Sequence, residues 1–310
     1  MIITVTMNPA IDKTISVENF EVGTLNRISS SVIDVGGKGI NVSKTIANAI
    51  HGKTLATGFI GGSTGDMIEK VLNETGIKTD FVRVKGETRT NTKVFSQNYP
   101  VTELNEQGEI ITCEQLAALT EKILSYANKE TLFVLAGSIP KGVPKDIYHT
   151  ITVLVKEKGS KVVLDADGEL FKNSLSALPN IIKPNREELA QYAGLNEKPT
   201  LTQIVEIAKE FIQMGIETVA VSMGKDGSVF INKEKALICP EVPVKVLSTV
   251  GAGDAMVAGI AYSTHENLSF EEMIKLSAST STGAVTTVGT KPPSYELVQD
   301  LIKQVVINEF

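Results

Sequence analysis

The sequence predicts an α/β protein built on a mostly parallel sheet flanked by helices. Three observations carry that reading. Short Val- and Ile-rich runs recur along the chain, amphipathic stretches separate most of them, and neither a low-complexity linker nor a repeat of solenoid period interrupts the alternation. A parallel strand is buried on both faces, so it reads as a continuous apolar run. The 310 residues could form one core or two. Without a linker, one body spanning residues 1–310 with an inserted small sheet is expected.

The strands of the main sheet are expected at Ile2–Met7, Leu55–Ile60, Leu132–Ala136, Val162–Asp165, Ile181–Lys183 and Thr218–Ser222. Between them Asp66–Glu74, Asp146–Lys158, Arg186–Tyr192 and Leu201–Met214 place apolar residues at helical spacing. Lys13–Phe20, Ser29–Val35 and Thr92–Phe95 alternate β-branched and polar residues with no helix between them. They predict a separate small sheet, with strands drawn from about 13–35 and 89–112, either an edge elaboration or a lid over a site. The last third reads as a hairpin region over Ser228–Val246, a Gly-rich turn, helices over Ala255–Thr264 and Phe270–Thr287, and a final helix over Ser294–Val306.

Composition excludes several classes. The apolar runs fall far short of the ~18 residues of a membrane span. No basic and apolar leader precedes the first strand, so cytoplasmic residence is expected. A net charge of −6 argues against nucleic acid or an anionic membrane as partner, so any anionic ligand has to meet local cations. Cys113 and Cys239 have neither CxxC spacing nor a nearby His, and His51, His149 and His265 belong to no triad or metal pattern.

Four segments carry chemistry. Thr249-Val250-Gly251-Ala252-Gly253-Asp254 is a small-residue loop running into an apolar helix. Backbone N–H groups at such a helix start, with the favourable end of its dipole behind them, stabilise charge on a transferred phosphoryl group. Asp254 in the first turn is then either a proton acceptor for a hydroxyl or a helix cap; two glycines before it favour chemistry. Gly36-Gly37-Lys38-Gly39-Ile40-Asn41 lets backbone approach a ligand beside a lysine, though it is neither a Walker A loop nor a dinucleotide fingerprint. In Lys183-Pro184-Asn185-Arg186-Glu187-Glu188, Asn185 and Glu188 form a helix capping box or hold a hydrated Mg2+. Ser222-Met223-Gly224-Lys225-Asp226-Gly227 is a glycine turn after a parallel strand, with room for a phosphate.

Taken together with Asn8-Pro9-Ala10-Ile11-Asp12, and occurring in this order along the whole chain, these motifs resemble the ribokinase-like carbohydrate kinase family; Thr88-Arg89-x-Asn91-x-Lys93 is similar to its phosphosugar branch. The resemblance implies a ribokinase-like doubly wound body, a small β-sheet lid that also serves as a homodimer clasp, and transfer of the ATP γ-phosphate to a sugar hydroxyl. The implied acceptor is fructose 1-phosphate, giving fructose 1,6-bisphosphate, with tagatose 6-phosphate or fructose 6-phosphate as alternatives and a non-catalytic phosphosugar sensor behind them. Asp254 corresponds to the general base and Gly251, Ala252 and Gly253 to the anion hole. Asp12, Gly37, Lys38, Asn41 and Ser138 are implied on the sugar, Arg27, Arg89 and Lys93 around its phosphate, and Asn91 as a further substrate contact. Lys183, Asn185, Ser222, Gly224 and Gly227 are implied on the nucleotide phosphates, Ser279 and Gly283 on the adenine, and Asn185 with Glu188 on Mg2+ through water. Ser248 departs from the pattern, since many members carry Asp there.

Overall fold

The computed structural model describes residues 1–96 and 99–310. In chain order the strands are β1 (Ile2–Thr6), β2 (Ala10–Ser16), β3 (Ser30–Gly36), β4 (Thr54–Gly61), β5 (Lys78–Thr79), β6 (Val82–Val84), β7 (Thr90–Ser96), β8 (Tyr99–Asn105), β9 (Leu132–Ala136), β10 (Lys161–Asp165), β11 (Ile181–Ile182), β12 (Thr218–Ser222), β13 (Ser228–Asn232), β14 (Ala236–Cys239) and β15 (Asn308–Glu309). The α-helices are α1 (Lys38–Thr45), α2 (Gly62–Glu74), α3 (Cys113–Tyr126), α4 (Ile147–Glu157), α5 (Gly168–Ser174), α6 (Arg186–Ala193), α7 (Leu201–Met214), α8 (Ala252–His265), α9 (Phe270–Ala284) and α10 (Tyr295–Ile302).

The main sheet runs β15-β14-β13-β12-β11-β10-β9-β1-β4-β5, parallel from β12 to β5 and antiparallel through β13, β14 and β15. Its central strands are buried on both faces, as their unbroken apolar runs require. Ile3, Val5, Phe133 and Leu135 pack on one face with α3, α4 and α7, while Ile2, Leu132 and Val134 pack on the other with α1, α8 and α9. Strand β1 lies between β4 and β9, so the order reverses direction there. The carboxyl ends of the strands on either side of such a reversal form a crevice in which ligands of doubly wound folds bind.

The small sheet has the order β3-β2-β7-β8 and joins the body at that same edge. It is entered from β1 through Met7–Pro9 and left through Gly36 and Gly37 into α1. Its predicted boundaries shift: β2 begins at Ala10 and ends at Ser16, because pairing with β3 and β7 starts at Ala10 and Ile11. Of the expected 89–112 portion, residues 97 and 98 lie outside the described residues.

Other differences have local causes. Helix α3 was not expected, although Thr112 and Gln115 form a reciprocal capping box at its start. Helices α9 and α10 stop short of the predicted Thr287 and Val306, and α8 starts earlier, immediately after Gly251. Among the described residues, no helix is long and apolar enough to cross a membrane.

Candidate active site

Gly251 adopts φ +84° and turns the chain into α8, a region where an L side chain is strained. Gly37 does the same before α1 at φ +113°, and a Cβ there would come within 2.7 Å of Thr6 Cγ2. The two glycine turns therefore start the two helices that meet at the crevice.

Asp254, in the first turn of α8, is 8 % exposed. Asn41 on α1 donates from Nδ2 to Asp254 Oδ2 at 2.8 Å. Burial pushes the Asp254 carboxyl up to about 6, with Asp165 adding to the rise and Lys38, Asn41 and Lys183 opposing it. A proton acceptor near neutrality suits a base for a hydroxyl.

Asp165 had no assigned role in the sequence, yet it organises the site. It ends β10 at 1 % exposure, and its Oδ1 lies 3.3 Å from Lys38 Nζ and 3.4 Å from Lys183 Nζ. Burial disfavours its charge, but Lys183 and Lys38 outweigh that and hold the carboxyl below the usual range. Asp165 in turn raises the Lys38 ammonium against the effect of burial. The available signal was an acid closing an apolar strand, since a buried charge at a parallel strand's carboxyl end requires partners.

Lys38, Lys183, Asn185, Glu188, Ser222, Gly224, Gly227, Ala252, Gly253 and Asp254 all line one cavity of about 630 Å3. A Cβ on Gly253 would lie 3.5 Å from Lys183 Nζ, so that ammonium stands beside the Gly251–Gly253 turn. Its apolar wall comes from Val242, Val244, Val246, Met256 and Val285. A larger hollow, about 1210 Å3, lies around Gly215–Thr218 and Phe310 at the other end of β12. Its charged side chains are exposed or half-buried, so size does not mark the site.

Asn185 and Glu188 form the capping box, each side chain accepting the other's backbone N–H at 2.8 Å. The cap engages Glu188 Oε2 and not its second oxygen, and both residues line the cavity. Burial raises the Glu188 carboxyl, against Lys183. Asp165 Oδ2 is buried and accepts no hydrogen bond. Oxygen acceptors of this kind suit a hydrated Mg2+. Among the described residues no cluster of three or more His, Cys, Asp or Glu forms a full ligand set.

The small sheet carries Asp12, whose Oδ1 accepts from Asn91 Nδ2 at 3.2 Å. Ser138 is exposed after Gly137, at the end of β9. Of the three expected phosphate-binding cations, Arg27 stands apart from Arg89 and Lys93. Arg27 lies in the loop from Val17 to Ser29, lining a separate hollow with Glu18 and Glu21. That loop leaves the far end of β2, and Asp12 to Ser16 alone spans ~13 Å. Arg89 donates to the carbonyls of Asn8, Pro9 and Glu106 at 3.0, 3.4 and 3.2 Å, so its half-buried guanidinium satisfies backbone acceptors on both sides of it. Lys93 stands opposite Glu103 across β7 and β8.

Ser279 and Gly283 do not line the cavity. Ser279 is 0 % exposed, and a Cβ on Gly283 would press within 2.8 Å of Pro293 Cβ. The cavity is lined instead by Ala278, Ser281 and Thr282 of α9 and by Val285 just after it. One residue along a helix rotates a side chain by about 100°, enough to turn it from cavity to core.

A glycine turn and a buried aspartate at the start of α8, beside the crevice of a doubly wound sheet, suit a phosphotransferase that acts on a hydroxyl. The pfkB family carbohydrate kinase profile matches residues 5–296, and the chain belongs to that family. It is a kinase that uses ATP and has the ribokinase-like α/β fold. It is 36 % identical over 307 residues to the 1-phosphofructokinase of Bacillus subtilis, covering 99 % of each chain. It is 32 % identical over 277 residues to the tagatose-6-phosphate kinase of Staphylococcus epidermidis, covering 89 % of each. Among solved structures, phosphofructokinase-2 from Escherichia coli in complex with substrates and products superposes with a TM-score of 0.92 at 26 % identity over 98 % of each chain.

Proposed function

We propose that this kinase transfers the γ-phosphate of ATP to the 6-hydroxyl of fructose 1-phosphate, forming fructose 1,6-bisphosphate. The observation that carries the chemistry is Asp254, buried beside the Gly251–Gly253 turn with its carboxyl raised to about 6. The 1-phosphofructokinase of Bacillus subtilis supports the choice of acceptor. The tagatose-6-phosphate kinase supports a second reading, the same chemistry on tagatose 6-phosphate.

In this reading Asp254 accepts the hydroxyl proton through the oxygen that Asn41 leaves free. The N–H groups of Gly251, Ala252 and Gly253 stabilise charge on the transferred group. Asp12, Gly37, Lys38, Asn41, Asn91 and Ser138 hold the acceptor; Arg89 and Lys93 offer cations to its phosphate, Arg89 through the N–H groups its carbonyl partners leave over. Lys183, Ser222, Gly224 and Gly227 hold the nucleotide phosphates. Mg2+ at Asn185 and Glu188 would neutralise charge on those phosphates. The small sheet acts as a lid that excludes water, the competing acceptor.

A homodimer through this lid is part of the reading, supported by Val22, Leu25 and Ile28, exposed at 91, 78 and 51 % on the loop that carries Arg27. One body over 1–310 acting in the cytoplasm completes it. The test is ADP release with Mg-ATP against fructose 1-phosphate, fructose 6-phosphate, tagatose 6-phosphate and the unphosphorylated sugars. The highest kcat/KM is expected for fructose 1-phosphate. A higher value for tagatose 6-phosphate selects the second reading, and no turnover on any sugar refutes both.

A further inference from the structure

Lys44 is a charged residue of α1 that the reaction leaves without a task. It follows Lys38 and Asn41 at successive intervals of three, so the three share one side of the helix. Lys38 reaches Asp165 and Asn41 reaches Asp254. Lys44 is 9 % exposed and donates from Nζ to the carbonyl oxygen of Val35 at 2.8 Å. A buried ammonium is retained only where negative charge surrounds it. Burial lowers the Lys44 ammonium, Asp34, Asp12 and Asp254 counter that in this order, and Lys291 adds slightly to the lowering.

Asp12 and Asp34 stand directly opposite each other across β2 and β3. Such a pair places two carboxylates on one face with Cβ atoms ~5 Å apart, an unfavourable match for like charges. Each carboxylate lies over a glycine. A Cβ on Gly36 would come within 2.1 Å of Asp12 Oδ2, and one on Gly289 within 3.1 Å of Asp34 Oδ2. Thr290, the next residue, backs the anion turn: a Cβ on Gly251 would lie 3.5 Å from Thr290 Cα. Strand β3 therefore touches both the acceptor side and the segment behind Gly251.

We propose that Lys44 is a positioning residue: its ammonium neutralises the Asp12–Asp34 pair and ties Val35 to α1, setting Asp12 for the acceptor and seating β3 against Gly289. The proposal rests on the acceptor reading above. It is tested by a double-mutant cycle of Lys44→Met and Asp34→Asn, followed by ADP release with fructose 1-phosphate and by thermal unfolding.

Lys44→Met keeps the packing of the stem and loses the charge, so the acceptor KM is expected to rise at least about tenfold while the KM for ATP stays within about twofold. Adding Asp34→Asn removes the repulsion and returns the acceptor KM to within about threefold of wild type. Additive effects, or an equal rise in both KM values, overturn the proposal. If Lys44→Met does not fold, the double variant decides: a folded protein with near wild-type acceptor KM supports the proposal, and an unfolded one overturns it. If the wild type turns over no sugar phosphate, the acceptor reading has failed and the cycle is read in Tm alone. A double variant more stable than Lys44→Met then supports the neutralisation of the Asp12–Asp34 pair, and additive losses overturn it.

Discussion

Asn41 Nδ2 donates to Asp254 Oδ2 at 2.8 Å, joining the first turns of α1 and α8 across 213 residues of sequence. The bond occupies one carboxylate oxygen and favours the ionised form against burial. Asn41→Leu removes the donor. It is expected to lower kcat about tenfold and to move the acid limb of the kcat/KM profile to higher pH. An unmoved acid limb would show that the amide does not tune the base.

Asp254→Asn separates chemistry from folding. Turnover should fall at least about 10²-fold, the lower end of what a general base supplies. Stability should change in the opposite sense. The folded carboxyl sits at about 6 against 3.8 when free, so Asp254 is at its least costly below 3.8 and penalises the fold as pH rises through 6. The Asn variant is thus expected to show a higher Tm than wild type at pH 7 to 8, a gain that shrinks to nothing as pH falls below 4. A lower Tm at pH 8 would contradict the burial argument.

Glu188→Gln tests the ligand role apart from the cap. Glutamine also closes a capping box, so Tm should change little. The Mg2+ concentration needed for half-maximal rate should rise severalfold, and chelator should stop turnover in both proteins. An unchanged Mg2+ requirement would leave Glu188 as a cap only.

Arg89→Ala removes the donor of three carbonyl oxygens in a half-buried turn. A loss of about 1–3 kcal/mol of stability is expected from the unsatisfied groups. The acceptor KM should rise more than that of ATP, because Asn8 and Pro9 lead into Asp12. Equal changes in both KM values would count against any acceptor role.

Glu87 caps α2 from outside, accepting the backbone N–H groups of Ser63 and Thr64 at 3.0 and 2.9 Å. These bonds hold its carboxyl at about 2, down from 4.5. Its contribution is therefore full above 4.5 and lost as pH falls through 2. Glu87→Gln is expected to lower Tm at pH 7 and to converge with wild type toward pH 2, as followed by thermal unfolding across that range.

The alternation of apolar strands with amphipathic helices was legible in the sequence because a strand buried on both faces admits few residue types. The loop before Asp254 and the Asn185–Glu188 box were legible because a glycine at positive φ and a reciprocal cap are local requirements of backbone geometry. Helix α3 carries a comparable local cap at Thr112 and Gln115, a signal that a cap alone gives without fixing how far the helix runs. What only the tertiary structure decided concerns partners. Asp165 acquires its two lysines from α1 and from the segment after β11, Arg89 turns to backbone carbonyls, and α9 presents Ala278 and Ser281 rather than Ser279 to the cavity. Charge pairing and burial depend on distance in space and on solvent exclusion, and a linear sequence specifies those only after the helices have packed on the sheet.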